Sequence, residues 1–321
     1  LTFGLIWGAF ASTLLSKQFA VRIPPPFELV RGAIGGTLMG IGAAMASGCN
    51  VGGFFSASSA LSLSGIAMMA GLSIGAFLEV RYLYWEVQIL RFRRGDGMPR
   101  KPKEGSVDWK SIQPYLGALA VLAAFAGAYI YRSYGIDPGS GYNYTIIGGL
   151  LISGLAFGII LHRSRFAFLQ GFREPFLNGN ADQSRGMAIA VIVSVLGFAA
   201  LKAGGLRPEG VYVTSTFWVG SFIGGIIFGF GMPFAGGCAS GVCWRSAGGG
   251  VKQIVALAFM GISNSFSKLF IDSSETITSI MGKRVFLPAY ISYHWAVFLI
   301  VMIMLLYYLV TSWNEKTRAF I

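Results

Sequence analysis

The chain has 321 residues, of which 54% are hydrophobic and 12% charged, with a formal net charge of +12 and a mean hydropathy of +0.64. A soluble domain of this size would carry about 25% charged residues, so the composition excludes the soluble class and indicates a polytopic membrane protein. The positive excess sits in short polar segments, as the positive-inside bias produces, so it is not read as a nucleic-acid surface. Three cysteines without a CxxC pair and only two histidines exclude a disulfide framework, a zinc site and paired-histidine haem ligation. No metal or cofactor is expected, and no GxxxxGK[ST] loop offers direct ATP driving within this chain. The chain opens on Leu1 inside an apolar run with no secretory signal, which suggests a start downstream of a longer N-terminus.

In chain order, helices long enough to enter a bilayer are expected near residues 2–16, 30–46, 64–80, 112–131, 144–161, 186–201, 217–235, 252–270 and 291–311. This is an all-α fold of about nine membrane helices. Residues 1–85 form a first repeat, 86–111 a basic cytoplasmic linker, and 112–321 a second repeat with extra helices. Segments 47–63 and 236–250 are too rich in small and polar residues for lipid-facing spans. They are expected as re-entrant or broken helices, which are tolerated at membrane depth only inside protein or along a cavity. The loop from Arg81 to Lys110 holds eight basic residues and is assigned to the cytoplasm. Alternation then puts the loop from His162 to Arg185 and the tail with Lys316 and Arg318 on the same side. In that loop, the neighbours Arg173 and Glu174 offer a charge pair at the mouth.

"GGTLMGIGAAMASGCNVGG" (Gly35 to Gly53) aligns without gaps on "GGIIFGFGMPFAGGCASGV" (Gly224 to Val242), identical at eight of 19 positions. One extra helix in the second half reverses the direction of the second copy. The two Gly-Cys segments are therefore expected to be related by an inverted pseudo-two-fold, as in transporters with a midplane site. Gly48 and Gly237 precede Cys49 and Cys238, so each thiol ends a glycine ridge. Glycine lets the backbone bend and turn peptide N–H groups toward one point, which suits an anion. A thiol is a weak donor and a soft group, suited to a sulfur-containing solute. Asn50, next to Cys49, joins the candidate site. Cys243 has no counterpart in the first repeat, where Phe54 stands, and either packing or function accounts for it. Arg245 is expected at the cytoplasmic mouth, where it steers anions or snorkels.

These residues resemble the YeeE/YedE family of inner-membrane sulfur-compound transporters, closer to the YedE branch. The resemblance rests on "GGTLMGIGAAMASGCNVGGFFSA", "SRFAFLQGFREPFLNGN" and "GFGMPFAGGCASGVCWRSAGGG". It implies uptake of thiosulfate, or a related sulfur or selenium compound, through an hourglass path in the bacterial inner membrane. Cys49 and Cys238 would be the relay thiols, and a small cytosolic carrier of the TusA type would receive the sulfur. The family's third cysteine falls where this sequence has Ala167, a departure from a three-step relay. Membrane lipid is the other expected partner. Two rival readings remain at this stage. One is a membrane thiol–disulfide oxidoreductase or sulfurtransferase using Cys238 and Cys243, disfavoured because no activating base lies beside either thiol. The other is a partner subunit without transport of its own.

Overall fold

The computed structural model describes residues 1–93, 109–135, 144–203, 217–283 and 285–319. Helices account for almost all of it, and among the described residues the only β pairing is two isolated bridges. The helices are α1 (Thr2–Leu15), α2 (Pro26–Met45), a π-helical segment Asn50–Ser56 continuing into α3 (Ala57–Ser59), and α4 (Leu63–Arg93). They continue with α5 (Trp109–Tyr134), α6 (Tyr144–Ser164), α7 (Phe168–Leu177), α8 (Asp182–Ala203) and α9 (Val219–Ala235). The last four are α10 (Ala239–Ala247), α11 (Val251–Ser273), α12 (Glu275–Met281) and α13 (Tyr293–Thr317). Seven helical stretches of the described residues are long and apolar enough to cross a membrane. An eighth counts if α2 and the helical segment after it, bent by 41°, form one span. The ninth expected helix, α1, has 14 residues, about 21 Å at 1.5 Å per residue, which is short of a bilayer core.

Two expectations are corrected. The basic loop expected from Arg81 starts inside a helix, because α4 continues to Arg93 and α5 has begun by Trp109. Of the expected linker, residues 94–108 lie outside the described residues. Arginine is a good helix former, so a run of arginines marks where lipid ends and not where a helix ends. The segment from His162 to Arg185, expected as a loop, is largely helical and packed. Here α6 runs to Ser164, and Arg165 turns the chain with φ +52°. After the turn, α7 buries Phe168, Leu169 and Phe172.

The chain packs as two compact units. One holds Leu1–Leu29, Met98–Phe166 and Ser240–Val255; the other holds Val30–Gly97, Ala167–Ala239 and Ala256–Ile321. In the first, α1 crosses α6 at glycines on both helices. A Cβ on Gly4 would lie 3.1 Å from the Gly154 Cα, and one on Gly158 would lie 2.6 Å from the Ala9 nitrogen. In the second, α2 and α9 meet where neither helix has room for a side chain. A Cβ on Gly42 would come within 2.6 Å of the Gly224 carbonyl oxygen, and one on Gly224 within 2.7 Å of the Gly42 oxygen. Gly231 makes the same approach to the Gly35 oxygen at 2.9 Å. Gly35 therefore pairs with Gly231 and Gly42 with Gly224, so the helices run antiparallel. The repeat that carries Gly35 onto Gly224 also carries Gly42 onto Gly231, and it exchanges the two contacts. An inverted pair related by a two-fold packs in this way.

Gly42→Ala is expected to destabilise the protein by about 1–3 kcal/mol, because the intruding methyl meets backbone that cannot turn aside. Gly149→Ala in α6, where nothing lies within 4 Å of the added Cβ, is expected to be neutral or slightly stabilising. Thermal unfolding of the two purified variants in one detergent measures the difference.

Candidate functional site

Both cysteine segments begin with the same helix stop. At the end of α2, Ser47 adopts a left-handed conformation (φ +54°). The Ser47 amide donates to the Ala44 carbonyl at 3.3 Å and the Gly48 amide to the Ala43 carbonyl at 2.9 Å. At the end of α9, Gly236 is left-handed (φ +83°). The Gly236 amide donates to Pro233 at 3.1 Å and the Gly237 amide to Met232 at 3.0 Å. This is the Schellman pattern, built at aligned positions of the repeat. It satisfies carbonyls that a helix end would otherwise leave bare. Cys49 and Cys238 are the first residues after it.

Beyond the stop, the copies diverge. Cys49 is extended (φ −76°, ψ 179°) and caps the π-helical segment from Asn50, a rare helix type found frequently at functional sites. The Gly53 amide donates to the Cys49 carbonyl at 2.6 Å. A Cβ on Gly48 would stand 2.7 Å from the Gly53 nitrogen, so the bend closes only with glycine there. The Gly52 and Val51 amides face the Cys49 sulfur, without forming a regular side-chain cap. Cys238 lies within electrostatic range of Cys49. After Cys238, α10 begins directly.

Cys49 is partly exposed, and it opens onto a cleft of ≈ 270 Å³ lined by Ser47, Gly48, Met260, Asn264 and Lys268 among others. Cys238 is fully buried, at 0% exposure. Asn50 is also at 0% exposure, and neither its Oδ1 nor its Nδ2 has a hydrogen-bond partner. A buried amide with both ends unmet costs a few kcal/mol, and in native structures such a group calls for an explanation. Asn264 and Lys268 are not among the residues expected from the sequence. Their signal is one amide and one charged residue a single turn apart on one face of α11, a helix long and apolar enough to cross a membrane.

The π-helical segment is braced from behind by α7. Phe54 meets Phe172 edge-on at 5.4 Å and Phe168 at 6.3 Å, and Phe55 meets Phe168 at 5.9 Å. Pro175 has no N–H to give the Gly171 carbonyl one turn earlier. That oxygen accepts instead from Ser184 Oγ at 2.6 Å and Tyr307 Oη at 2.7 Å. The Pro175 carbonyl accepts from Asn314 Nδ2 at 2.7 Å, so α8 and α13 hold α7 in place. Arg173 pairs with Glu79 of α4 at 3.0 Å, not with its neighbour Glu174, and Glu79 is only 3% exposed. Ala167, where the family's third cysteine falls, is buried at the start of α7.

Of the seven expected site residues, Gly48, Cys49, Asn50, Gly237 and Cys238 fall in one compact unit, and Cys243 and Arg245 in the other. All three cysteines are free thiols. Among the described residues no group of three His, Cys, Asp or Glu side chains is placed to hold a metal ion.

Residues 1–78 and 163–320, which include both Gly-Cys segments, match the family model described as sulphur transport. The chain is 25% identical over 251 residues to the probable transporter YedE of Escherichia coli K12, covering 77% of this chain and 59% of the relative. It is 36% identical over 115 residues to the thiosulfate transporter TsuA of the same organism, covering 36% of this chain and 32% of the relative. The thiosulfate transporter TsuA of Spirochaeta thermophila is 31% identical over 166 residues, with 44% of this chain and 49% of the relative covered. The chain thus spans less than two thirds of the length of each of these relatives.

Two outcomes are expected of this geometry. Alkylation of the purified protein by a water-soluble maleimide should modify Cys49 about an order of magnitude faster than Cys238, as their exposures require; tryptic mapping reads the rates. Glu79→Ala should destabilise the protein by about 3–5 kcal/mol by leaving Arg173 without its partner, and Glu79→Leu with Arg173→Leu should recover most of that. Thermal unfolding reads both.

Proposed function

Because the chain belongs to the sulphur transport family, we propose that it takes up thiosulfate or a closely related sulfur anion across the bacterial inner membrane. The observation that carries this reading is the pair of aligned helix stops that present Cys49 and Cys238 within electrostatic range of each other. In support, two of the relatives are named as thiosulfate transporters.

The cleft beside Cys49 suits the arrival of the anion. Lys268 supplies a positive charge, and it forms no ion pair among the described residues. Asn264 and Ser47 offer neutral donors, and the amides facing Cys49 extend them toward the bend. The thiol gives the terminal sulfur of thiosulfate a soft, polarizable neighbour. The amide of Asn50, unmet in the protein, is a donor for the oxyanion end once the solute passes the bend. Cys238 takes the solute next. Apart from the lysine at the rim, these contacts are neutral, so they hold the anion without trapping it. No covalent step is required. On the inner side, a small cytosolic carrier of the TusA type is the acceptor this reading calls for.

Uptake of labelled thiosulfate by cells lacking other sulfur importers tests the reading. The Cys49→Ala, Cys238→Ala double variant should lose uptake while remaining folded in the membrane. Wild-type uptake by that variant would remove the cysteines from the mechanism. Lys268→Ala should raise KM roughly fivefold, about 1 kcal/mol for one partly solvated charge, with little change in the maximal rate. Lys268→Arg should restore it.

A further inference from the structure

The unit that contains Cys243 holds a second cluster of polar groups, which the cysteine relay does not use. His162, on the last turn of α6 and only 7% exposed, bonds through Nδ1 to the Ser12 hydroxyl of α1 at 2.9 Å. When that hydroxyl donates to Nδ1, the ring proton sits on Nε2, which becomes a neutral donor. The imidazole meets the Trp244 ring edge-on at 5.9 Å. The Trp244 indole nitrogen is buried and has no hydrogen-bond partner. The Arg245 guanidinium lies over the same indole at 5.1 Å. Trp244 and Arg245 come directly after Cys243 on α10, and the helix itself begins at the residue after Cys238.

An indole N–H has only one use in hydrogen bonding, as a donor, and leaving it buried and unmet is unfavourable by about 1–3 kcal/mol. His162 is buried on the last turn of a helix long and apolar enough to cross a membrane, and ionisable groups that such helices turn toward the protein interior mark solute and ion paths. Packing alone explains the aromatic contact between the two rings. It does not explain a donor sealed from water, beside a second ring held in a fixed orientation by Ser12, with a guanidinium stacked on top. Two neutral N–H donors and one delocalised cation gathered around one indole ring make a recognition set for the oxygens of a small oxyanion.

We propose that Trp244, His162 and Arg245, with Ser12 orienting the imidazole, form a binding station for the transported sulfur oxyanion next to Cys243. Trp244 Nε1–H and His162 Nε2–H donate to its oxygens and Arg245 balances its charge. The station rests on the sulfur-anion reading above and adds to it a site with no cysteine among its ligands. It accounts for Cys243 as a residue that lines the approach and carries no redox step.

The test is titration of the purified, detergent-solubilised full chain with thiosulfate, monitored by intrinsic tryptophan emission, alongside uptake in cells. Wild type should show a saturable emission change. Trp244→Phe, which keeps the aromatic packing and removes the N–H, should lose that change and cut the maximal uptake rate about tenfold, the scale of one hydrogen bond. His162→Gln should cut uptake to a similar degree while retaining the Trp244 signal at a higher thiosulfate concentration. It also serves if Trp244→Phe does not fold, as judged by gel filtration. Emission change and uptake that persist unaltered in both variants overturn the station and leave the transport reading standing. A wild-type chain that neither transports thiosulfate nor responds to it overturns both.

Discussion

The contact on which the candidate site depends is the one between α2 and α9, where peptide carbonyls stand at distances that leave no room for a methyl group. Gly35, Gly42, Gly224 and Gly231 lock the two helices at one axial position. In lipid, where apolar surface gives helices little reason to associate, such close approach is the main source of cohesion. The same glycines fix where each helix stops relative to the other. Because the contacts are exchanged by the repeat, the stops are related as well, and Cys49 and Cys238 each follow the C-terminal end of their own helix.

A helix that ends inside a bilayer leaves up to four carbonyls without partners, each costly in hydrocarbon. The Schellman turn answers part of that cost in both copies from within the chain, using the amides of residues 47 and 48 in one and 236 and 237 in the other. In α7 the same accounting is met by side chains. Pro175 frees the Gly171 carbonyl, and Ser184 and Tyr307 occupy it. The region around the thiols is therefore irregular in shape yet well satisfied in its backbone. Asn50 departs from this at its side chain, and it does so beside Cys49.

Much of this was legible in the sequence. The glycine spacing and the in-register cysteines point to the repeat and to the places where α2 and α9 end, because glycine at a buried interface has few other uses. The stop itself was half visible: Gly236 announces a left-handed turn, whereas Ser47 adopts the same conformation at a cost of about 1 kcal/mol. Charge is the poorer guide. The arginines after Arg81 suggest a loop, yet charge reports the membrane edge and says nothing against a helix. Arg173 stands beside Glu174 in the sequence, but its partner Glu79 lies in another helix. The cleft residues on α11 escape a reading of the sequence because they become a site only when α11 lies along α2, at Gly36 and Gly40, a contact the repeat does not encode.

The two copies of the repeat share a stop and differ beyond it, and the difference has a physical reading. After Cys49 the chain enters a wide π-helical turn whose amides face the sulfur, and the thiol opens to a cleft. After Cys238 it enters an ordinary α-helix, and the thiol is closed off. A π-turn holds one more residue per hydrogen-bonded ring than an α-turn, so the first copy is the wider and the more easily reshaped of the two. Two equivalent helix stops, one opened in this way and one not, therefore present thiols of unequal access. On the transport reading proposed above, this difference would offer the sulfur anion an accessible thiol at Cys49 and an enclosed one at Cys238.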